Sequence, residues 1–493
     1  MKFISTRNSA KRVDSAYAIA HGISDEGGLY MPECIPVFDE TDFNNLCALD
    51  YIGRAVYVLK KYLTDFSDEE ITACVKGAYK GSFDDGKPAP LKSLKDGVQI
   101  LELWHGPTCA FKDLALQLLP HLMIAASKKV ADGKKIIILV ATSGDTGKAA
   151  LEGFKDVDNT EIIVFYPSDG VSATQKLQMT SQEGKNVHVY GIKGNFDDAQ
   201  TGVKKIFTDE EIKRILSDNG MEFSSANSIN WGRLVPQIVY YVSAYCDMKN
   251  SGKDLKDGFN VVVPTGNFGN ILAAYFAKAM GVPIKKLICA SNKNKILTDF
   301  INTGIYDKNR EFYTTISPSM DILISSNLER MLYILSGDDK YVSSLQAALV
   351  KDGRYEVTDA IKAKLSDIFY GGYCDDQKTL ETIKGVYNSY GYLCDTHTAV
   401  AIGVYNDYVN KTGDNRQTVI ASTASPYKFT KNVLSAISGD TPVDEFAAID
   451  KLNEITGVKV PDPIAALREK QVRFSEVVDK TDLKQTVLGA LNM

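Results

Sequence analysis

One lysine stands where an amine could act as a nucleophile. Lys112 lies in the stretch 105–113 (HGPTCAFKD), and an apolar helical pattern begins beside it at Phe111. The pattern predicts that Lys112 lies in the first turn of a helix, next to unpaired N–H groups and the positive end of the helix dipole. This position disfavours an ammonium ion, as a Schiff-base lysine requires. The alternative is a solvated lysine that follows a phenylalanine, because one lysine is a weak signal.

A second stretch, residues 264–270 (PTGNFGN), has the composition of a phosphate-binding loop. It follows a short β-branched run and precedes a helical pattern. Gly266 and Gly269 would let the backbone approach an anion, and the following helix would add its positive end. The alternative is a tight connection that needs glycine only for its backbone conformation.

A third turn, residues 142–148 (TSGDTGK), invites comparison with a nucleotide-binding loop. A Walker loop has Gly five positions before its Gly-Lys pair and Ser or Thr directly after it. Thr142 and Ala149 occupy these places, so the spacing argues against a nucleotide-binding protein. What remains is a polar turn, rich in N–H groups, that suits an anionic ligand.

Residues 224–233 (SSANSINWGR) concentrate hydroxyl and amide groups and end in an arginine that can bind phosphate through two hydrogen bonds. Asn227 or Ser228 could also cap the helix that follows. Two anion sites and one activated lysine together indicate a phosphorylated cofactor held as an imine beside a phosphorylated substrate.

The elements that position these residues have an α/β pattern. Short apolar runs typical of buried parallel strands lie at 136–141, 161–166, 187–190, 261–264, 287–290 and 418–421, with helical segments between them. We expect two open, mainly parallel sheets with helices on both faces. The predicted units are an N-terminal helical domain (1–95), a large α/β domain (96–130 and 218–440), a smaller α/β subdomain (131–217), a helical insertion (305–394) and a C-terminal helical tail (441–493).

Composition narrows the function classes. The 493 residues are 44% hydrophobic and 24% charged, with a net charge of -6, which is typical of a globular protein and unlike a nucleic-acid binder. The eight cysteines form no Cys-x-x-Cys pair, and with five histidines they predict no metal site. Because no signal peptide and no run of roughly 18 apolar residues is found, we expect a cytoplasmic protein that does not bind membranes.

Taken in order, the motifs HGPTCAFKDLALQ, ATSGDTGKAA, SANSINWGR, PTGNFGN and STASPYKF resemble the threonine synthase family, in its longer bacterial and fungal form. That family belongs to the fold-type-II pyridoxal phosphate enzymes. The resemblance implies that the smaller subdomain, 131–217, is mobile and closes over the ligand. The resemblance implies conversion of O-phospho-L-homoserine and water to L-threonine and phosphate. It implies that Lys112 forms the Schiff base with pyridoxal 5′-phosphate and acts as the catalytic base. The other implied cofactor-binding residues are Asp145, Gly266, Asn267, Phe268, Gly269, Asn270 and Thr423, and the implied substrate-binding residues are Ser143, Thr146, Asn227, Ser228 and Arg233.

Two positions depart from the family pattern, which usually has Asp at position 270 and His at position 425. Asn270 is electrostatically harmless beside a dianion, whereas Ser425 puts in doubt any proton transfer at its position. Two other functions stay open: a phospho-lyase that releases 2-oxobutyrate, and a non-catalytic protein that binds pyridoxal phosphate or a phosphorylated metabolite. A monomer is preferred over a homodimer.

Overall fold

Two mainly parallel β-sheets form the body of the protein. The computed structural model describes residues 1–130, 133–142, 144–169 and 171–493. In these residues the larger sheet has six strands, in the order Phe369–Tyr373, Ile284–Ser291, Phe259–Pro264, Thr418–Ser422, Val98–Glu102 and Leu91–Lys95. Its strands are parallel except for Leu91–Lys95, which pairs antiparallel with Val98–Glu102.

The smaller sheet is parallel throughout. Within the described residues it has five strands, in the order Val477–Asp479, Val187–Lys193, Thr160–Pro167, Lys135–Ala141 and Met221–Ser224. The central strands of both sheets are almost completely buried, as strands covered on both faces must be. The α/β class with mainly parallel sheets is therefore confirmed, and so are the six strands predicted from apolar runs.

Helices connect the strands and pack against the sheets. Up to residue 250 they are Ser15–His21, Glu40–Ala48, Tyr51–Tyr62, Asp68–Tyr79, Asp113–Leu116, Leu119–Val130, Asp145–Phe154, Ala173–Thr180, Phe196–Thr208, Glu210–Asp218 and Trp231–Asn250. Thereafter they are Gly269–Ala279, Ile296–Thr303, Leu328–Ser336, Asp339–Lys351, Asp359–Ile368, Asp376–Tyr390, Thr396–Thr412, Thr430–Ser438, Glu445–Thr456, Asp462–Ala465 and Leu483–Ala490. No helix in the described part of the chain is long and apolar enough to cross a membrane.

Three segments that were predicted to be helical also contain strands, so this part of the prediction is wrong. The strands are Phe3–Ser5, Asn8–Val13, Tyr30–Pro32 and Leu91–Lys95 in residues 1–95, Ile305–Asp307, Arg354–Glu356 and Phe369–Tyr373 in residues 305–394, and Val477–Asp479 in the tail. Most of them span three residues, which is too short for an alternating pattern to be recognised. The division into domains, with its mobile unit 131–217, stays a prediction.

The strand Phe369–Tyr373 was not recognised in the sequence because it contains two consecutive glycines, which usually indicate a turn. A Cβ atom on Gly371 would lie 3.0 Å from the Cα atom and from the backbone oxygen of Thr298. Glycine is thus needed here because the helix Ile296–Thr303 packs closely on the strand.

Candidate active site

A cavity of about 770 Å³ contains the predicted site residues. It is lined by residues that directly follow three parallel strands, Lys135–Ala141, Phe259–Pro264 and Thr418–Ser422, which is where ligands bind in open α/β sheets. Every predicted site residue that the structure describes lines it: Lys112, Asp145, Thr146, Asn227, Ser228, Arg233, Gly266, Asn267, Phe268, Gly269, Asn270 and Thr423. Ser143 lies outside the described residues.

The side chain of Lys112 is buried and lines the cavity. The preceding residue, Phe111, donates its backbone N–H to the backbone oxygen of Thr423 at 2.8 Å, which joins the lysine segment to the end of the strand Thr418–Ser422. Burial lowers the pKa of the Lys112 amine below its ordinary value. Asp145 opposes this shift, while the positive charges of Lys428 and Arg233 increase it.

The sequence analysis attributed the neutral amine to the dipole of the helix that follows, and this explanation is wrong. Lys112 is the N-cap of the helix Asp113–Leu116 rather than a residue of its first turn, and that helix has only four residues. A dipole is the sum of aligned peptide units, so a single turn contributes little. Loss of hydration is therefore the main cause of the lowered pKa.

Asp145 is the charged partner of this amine, at 3.7 Å from Lys112 Nζ to Asp145 Oδ2. Its Oδ1 atom accepts a hydrogen bond from Gln175 Nε2 at 2.9 Å and lies 2.8 Å from Lys428 Nζ. Its Oδ2 atom accepts from the Ser319 hydroxyl at 3.3 Å. Burial alone would raise the pKa of Asp145, but the two lysines hold it well below its usual range, so the side chain is a carboxylate.

The turn before Asp145 was predicted to offer several N–H groups to an anionic ligand, but two of them are already bonded. Thr142 Oγ1 accepts from the backbone N–H groups of Gly144 and Gly147, at 3.0 and 2.8 Å. Gly144 has a φ of 133°, and a Cβ atom there would lie 2.6 Å from the Gln175 side chain. Two N–H groups of this turn are therefore used internally, while Thr142, Asp145 and Thr146 line the cavity.

The glycine loop, residues 265–270, is held by the segment that faces it. A Cβ atom on Gly266 would lie 2.6 Å from the backbone oxygen of Ser319. The Ser325 hydroxyl donates to the Gly266 oxygen at 2.8 Å. Phe268, with a φ of 63°, is the N-cap of the helix Gly269–Ala279, so the loop leads directly into a helix N-terminus. This arrangement suits a phosphate group.

Asn270 extends the loop with a side-chain donor. Tyr241 donates its hydroxyl hydrogen to Asn270 Oδ1, and the Asn270 Nδ2 atom is buried without a hydrogen-bond partner in the described part of the chain. A buried N–H group without a partner is costly, so this amide is suited to donate to a ligand.

Arg233 is a second group of the cavity whose charge suits an anion. It is buried, its Nη1 atom donates to the Ala226 backbone oxygen, and its Nε atom has no hydrogen-bond partner among the described residues. Burial lowers the pKa of the guanidinium to about 10, which still leaves it charged at neutral pH. The helix cap is Asn230, whose side chain accepts from the Gly232 N–H at 2.8 Å, so Asn227 and Ser228 do not cap this helix.

Four buried or half-buried side chains at the site were missed by the sequence analysis: Gln175, Ser319, His397 and Lys428. His397 Nδ1 lies 2.9 Å from Asp395 Oδ1, and His397 Nε2 accepts the Ser319 N–H at 3.1 Å. Lys428 belongs to the motif STASPYKF, which was a usable signal. The others carry no local pattern and meet the site only through the fold. No group of metal-ligating side chains occurs in the residues that the structure covers.

Three family models match successive parts of the chain. They are Threonine synthase N terminus at residues 2–79, Pyridoxal-phosphate dependent enzyme at residues 88–423, and Threonine synthase, C-terminal at residues 398–487. The fold and the site define a pyridoxal phosphate enzyme of fold type II, and pyridoxal 5′-phosphate is its cofactor. Within this class the chain belongs to the threonine synthase family.

Individual relatives agree with this assignment. Threonine synthase of Pseudomonas aeruginosa is 38% identical over 444 residues, which cover 90% of this chain and 92% of the relative. Human Threonine synthase-like 1 is 39% identical over 455 residues, 88% of this chain, but this chain spans only 60% of the length of that relative. The structure of threonine synthase from yeast has a TM-score of 0.88 at 33% identity and covers 100% of this chain and 99% of its own. Pyridoxal-phosphate-bound threonine synthase from Brucella melitensis has a TM-score of 0.87 at 35% identity and covers 99% of both chains.

Proposed function

We propose that the protein is an enzyme that converts O-phospho-L-homoserine and water to L-threonine and phosphate. The observation that carries this proposal is that the Lys112 amine and the Arg233 guanidinium line the same cavity as the glycine loop. An amine that can bond an aldehyde, together with two separate anion sites, suits a phosphorylated cofactor beside a phosphorylated substrate. The relatives named threonine synthase support the same activity.

The residues around the glycine loop fit the phosphate of pyridoxal phosphate. The loop leads into the N-terminus of the helix Gly269–Ala279, and Asn270 Nδ2 is buried without a partner in the described residues. We assign the cofactor phosphate to residues 266–270, the cofactor's 3-hydroxyl to Asp145 and its ring nitrogen to the Thr423 hydroxyl. All of these line the cavity with Lys112, which we assign to the aldehyde carbon.

Lys112 is the base of the proposed reaction. When bound, pyridoxal phosphate withdraws electrons from the carbon atoms next to the substrate amine. With the substrate bound, the Lys112 amine would take the proton from the substrate's α-carbon. Its lowered pKa matters here because only an amine without the extra proton can act as a base.

Arg233 is assigned to the leaving phosphate. Loss of a β-proton allows the γ-phosphate to depart, and a buried guanidinium stabilises the charge that develops on it. Thr146, Asn227 and Ser228 line the cavity and are assigned to the substrate's carboxylate or phosphate; Ser143 keeps the same assignment from the sequence. The γ-carbon takes up a proton in place of the one lost from the β-carbon. Water then adds its hydroxyl group at the β-carbon and gives its proton to the released phosphate, and Lys112 returns the proton to the α-carbon. Movement of the unit 131–217 over the cavity would exclude bulk water and belongs to the proposal.

The test is to identify the products that the purified full chain forms from O-phospho-L-homoserine. Equal amounts of threonine and phosphate are expected, and Lys112→Ala should form neither. Lys112→Arg, which keeps a positive charge but cannot form the bond to the aldehyde, should be equally inactive. If 2-oxobutyrate and phosphate are the sole products, the protein is a phospho-lyase and not a threonine-forming enzyme. Bound cofactor with no turnover would leave only a binding function.

A further inference from the structure

Two lysines share one carboxylate in the buried part of the cavity. Lys428 Nζ lies 2.8 Å from Asp145 Oδ1, whereas Lys112 Nζ lies 3.7 Å from Asp145 Oδ2. Lys428 is fully buried and also donates to the backbone oxygen of Thr108 at 2.9 Å. Lys112 has in addition the ring of Phe111, with its Nζ atom 4.8 Å from the ring centroid. Lys428 is therefore the better bonded of the two lysines.

The carboxylate is also fixed in place for this pairing. Gln175 donates to Asp145 Oδ1 at 2.9 Å, on the oxygen that Lys428 contacts, and Ser319 donates to Oδ2 at 3.3 Å. One carboxylate balances the charge of one ammonium ion. A second ammonium in the same buried space would lose its hydration and would lie beside a like charge, and both effects favour the neutral amine.

We propose that Lys428 is a positioning residue that keeps the amine of Lys112 neutral, because Lys428 occupies Asp145 and places a second positive charge beside Lys112. The lowered pKa of Lys112, to which Lys428 contributes after burial, agrees with this role. A neutral amine has the lone pair that attacks the aldehyde carbon of pyridoxal phosphate; a C=N bond forms and one water molecule leaves. An ammonium ion must first lose a proton. The inference rests on the cofactor chemistry and not on the identity of the substrate.

Other charged or titratable groups also face the two lysines. Arg233 disfavours the charged form of Lys112, as Lys428 does. Asp113 and Cys109 lie within electrostatic reach of Lys428, and burial raises the pKa of both. These groups stay in place when residue 428 is replaced. A difference between variants at that position therefore reports on Lys428 itself.

The experiment follows cofactor binding rather than turnover. Pyridoxal phosphate is added to the full chain after its cofactor has been removed, and the rate at which visible absorbance appears is measured across a range of pH. In Lys428→Met, Asp145 is left to Lys112, so the pH midpoint of the rate should rise by about one unit, which makes binding about tenfold slower below both midpoints. In Lys428→Met/Asp145→Asn the midpoint should return toward the wild-type value. The proposal is overturned if the pH midpoint in Lys428→Met equals the wild-type midpoint. It is also overturned if the midpoint of the double variant is raised as far as that of Lys428→Met.

A second measurement applies if the substituted chains do not fold. The wild-type chain, freed of cofactor, is acetylated across the same pH range, and labelling of Lys112 and of the exposed Lys92 is quantified by mass spectrometry. Lys112 should reach half of its maximal labelling at the lower pH. Equal midpoints would overturn the inference. If Lys112 has the lower labelling midpoint but the chain forms no threonine from O-phospho-L-homoserine, only the proposed function is contradicted.

Discussion

The hydroxyl of Tyr241 donates a hydrogen bond to the side-chain oxygen of Asn270, and both side chains are buried. Since the amide oxygen is occupied, the amide nitrogen is the atom left to interact with a ligand, and it has no partner in the residues described. Asn270 lies in the first turn of the helix Gly269–Ala279. A tyrosine that does not line the cavity thus sets the orientation of a group that does.

Tyr241→Phe should weaken cofactor binding. Without the hydroxyl, the Asn270 amide is free to rotate, and the loss of one neutral hydrogen bond of about 1 kcal/mol corresponds to about a fivefold higher dissociation constant. The measurement is a titration of the cofactor-free chain with pyridoxal phosphate. The matched control is Tyr240→Phe, which removes a buried hydroxyl that donates to Gln237 Oε1 at 3.1 Å instead. Equal losses in the two variants would refute the role given to Asn270.

Arg233→Met should impair the substrate more than the cofactor. Loss of a buried charged donor at the leaving phosphate is expected to lower kcat/KM about 100-fold, or about 2.7 kcal/mol. Arg233→Lys keeps the charge but not the planar guanidinium group, so its kcat/KM should lie between those of Arg233→Met and the wild type. Steady-state kinetics and the cofactor dissociation constant are measured together. If the affinity for the cofactor falls by as large a factor as kcat/KM, Arg233 binds the cofactor phosphate and not the leaving phosphate of the substrate.

Gly266→Ala should destabilise the chain and weaken its hold on the cofactor. The added Cβ atom would lie 2.6 Å from the Ser319 backbone oxygen, so one of the two segments has to shift, at a cost of about 1–3 kcal/mol. Thermal unfolding with and without cofactor measures both effects. The control is Gly385→Ala in the exposed face of the helix Asp376–Tyr390, where no atom lies within 4 Å of the new Cβ. That substitution should instead stabilise the protein by about 0.5–1 kcal/mol. If Gly385→Ala also destabilised the protein, the loss in Gly266→Ala could not be attributed to the contact with Ser319.

Asp113 should make the stability of the protein depend on pH in the mildly acidic range. Burial raises the pKa of its carboxyl group from 3.8 to about 6. The folded chain therefore binds the proton more tightly than the unfolded chain does, and the free energy of unfolding falls as the pH rises from about 4 to about 6.

Asp113→Asn removes this titration. The stability of the variant relative to the wild type should thus increase over the same range, by at most about 3 kcal/mol. A constant offset is expected as well, because the carboxylate accepts from both the N–H and the hydroxyl of Thr108, and an amide has only one acceptor oxygen. Denaturant unfolding at several pH values separates the two contributions. A difference that does not vary with pH would contradict the raised pKa.

The sequence predicted the parts of the site that lie next to one another in the chain. Lys112 and the glycine loop each lie in a short motif, and the glycine loop follows a strand whose apolar run is recognisable in the sequence. Gln175, Ser319 and Lys428 could not be found in this way. They contact Asp145 from elements as far as 283 residues away, and no short-range pattern encodes such a contact.

The same limit applies to the fold. Strands of five or more buried residues between helices were predicted correctly, because an apolar run of that length differs from its neighbours. The three-residue strands and the glycine-containing strand Phe369–Tyr373 were missed, since tertiary pairing rather than local composition makes them extended.

The strand Val477–Asp479 pairs with Val187–Lys193 at the outer margin of the smaller sheet. Nearby, Arg473 donates its backbone N–H to the Thr180 oxygen at 2.8 Å and its Nη1 to the Gln182 oxygen at 2.7 Å. The final segment thus shields a row of peptide groups that would otherwise be open to another molecule. Truncation before residue 470 should consequently show itself first as aggregation of the protein rather than as a defect in its chemistry.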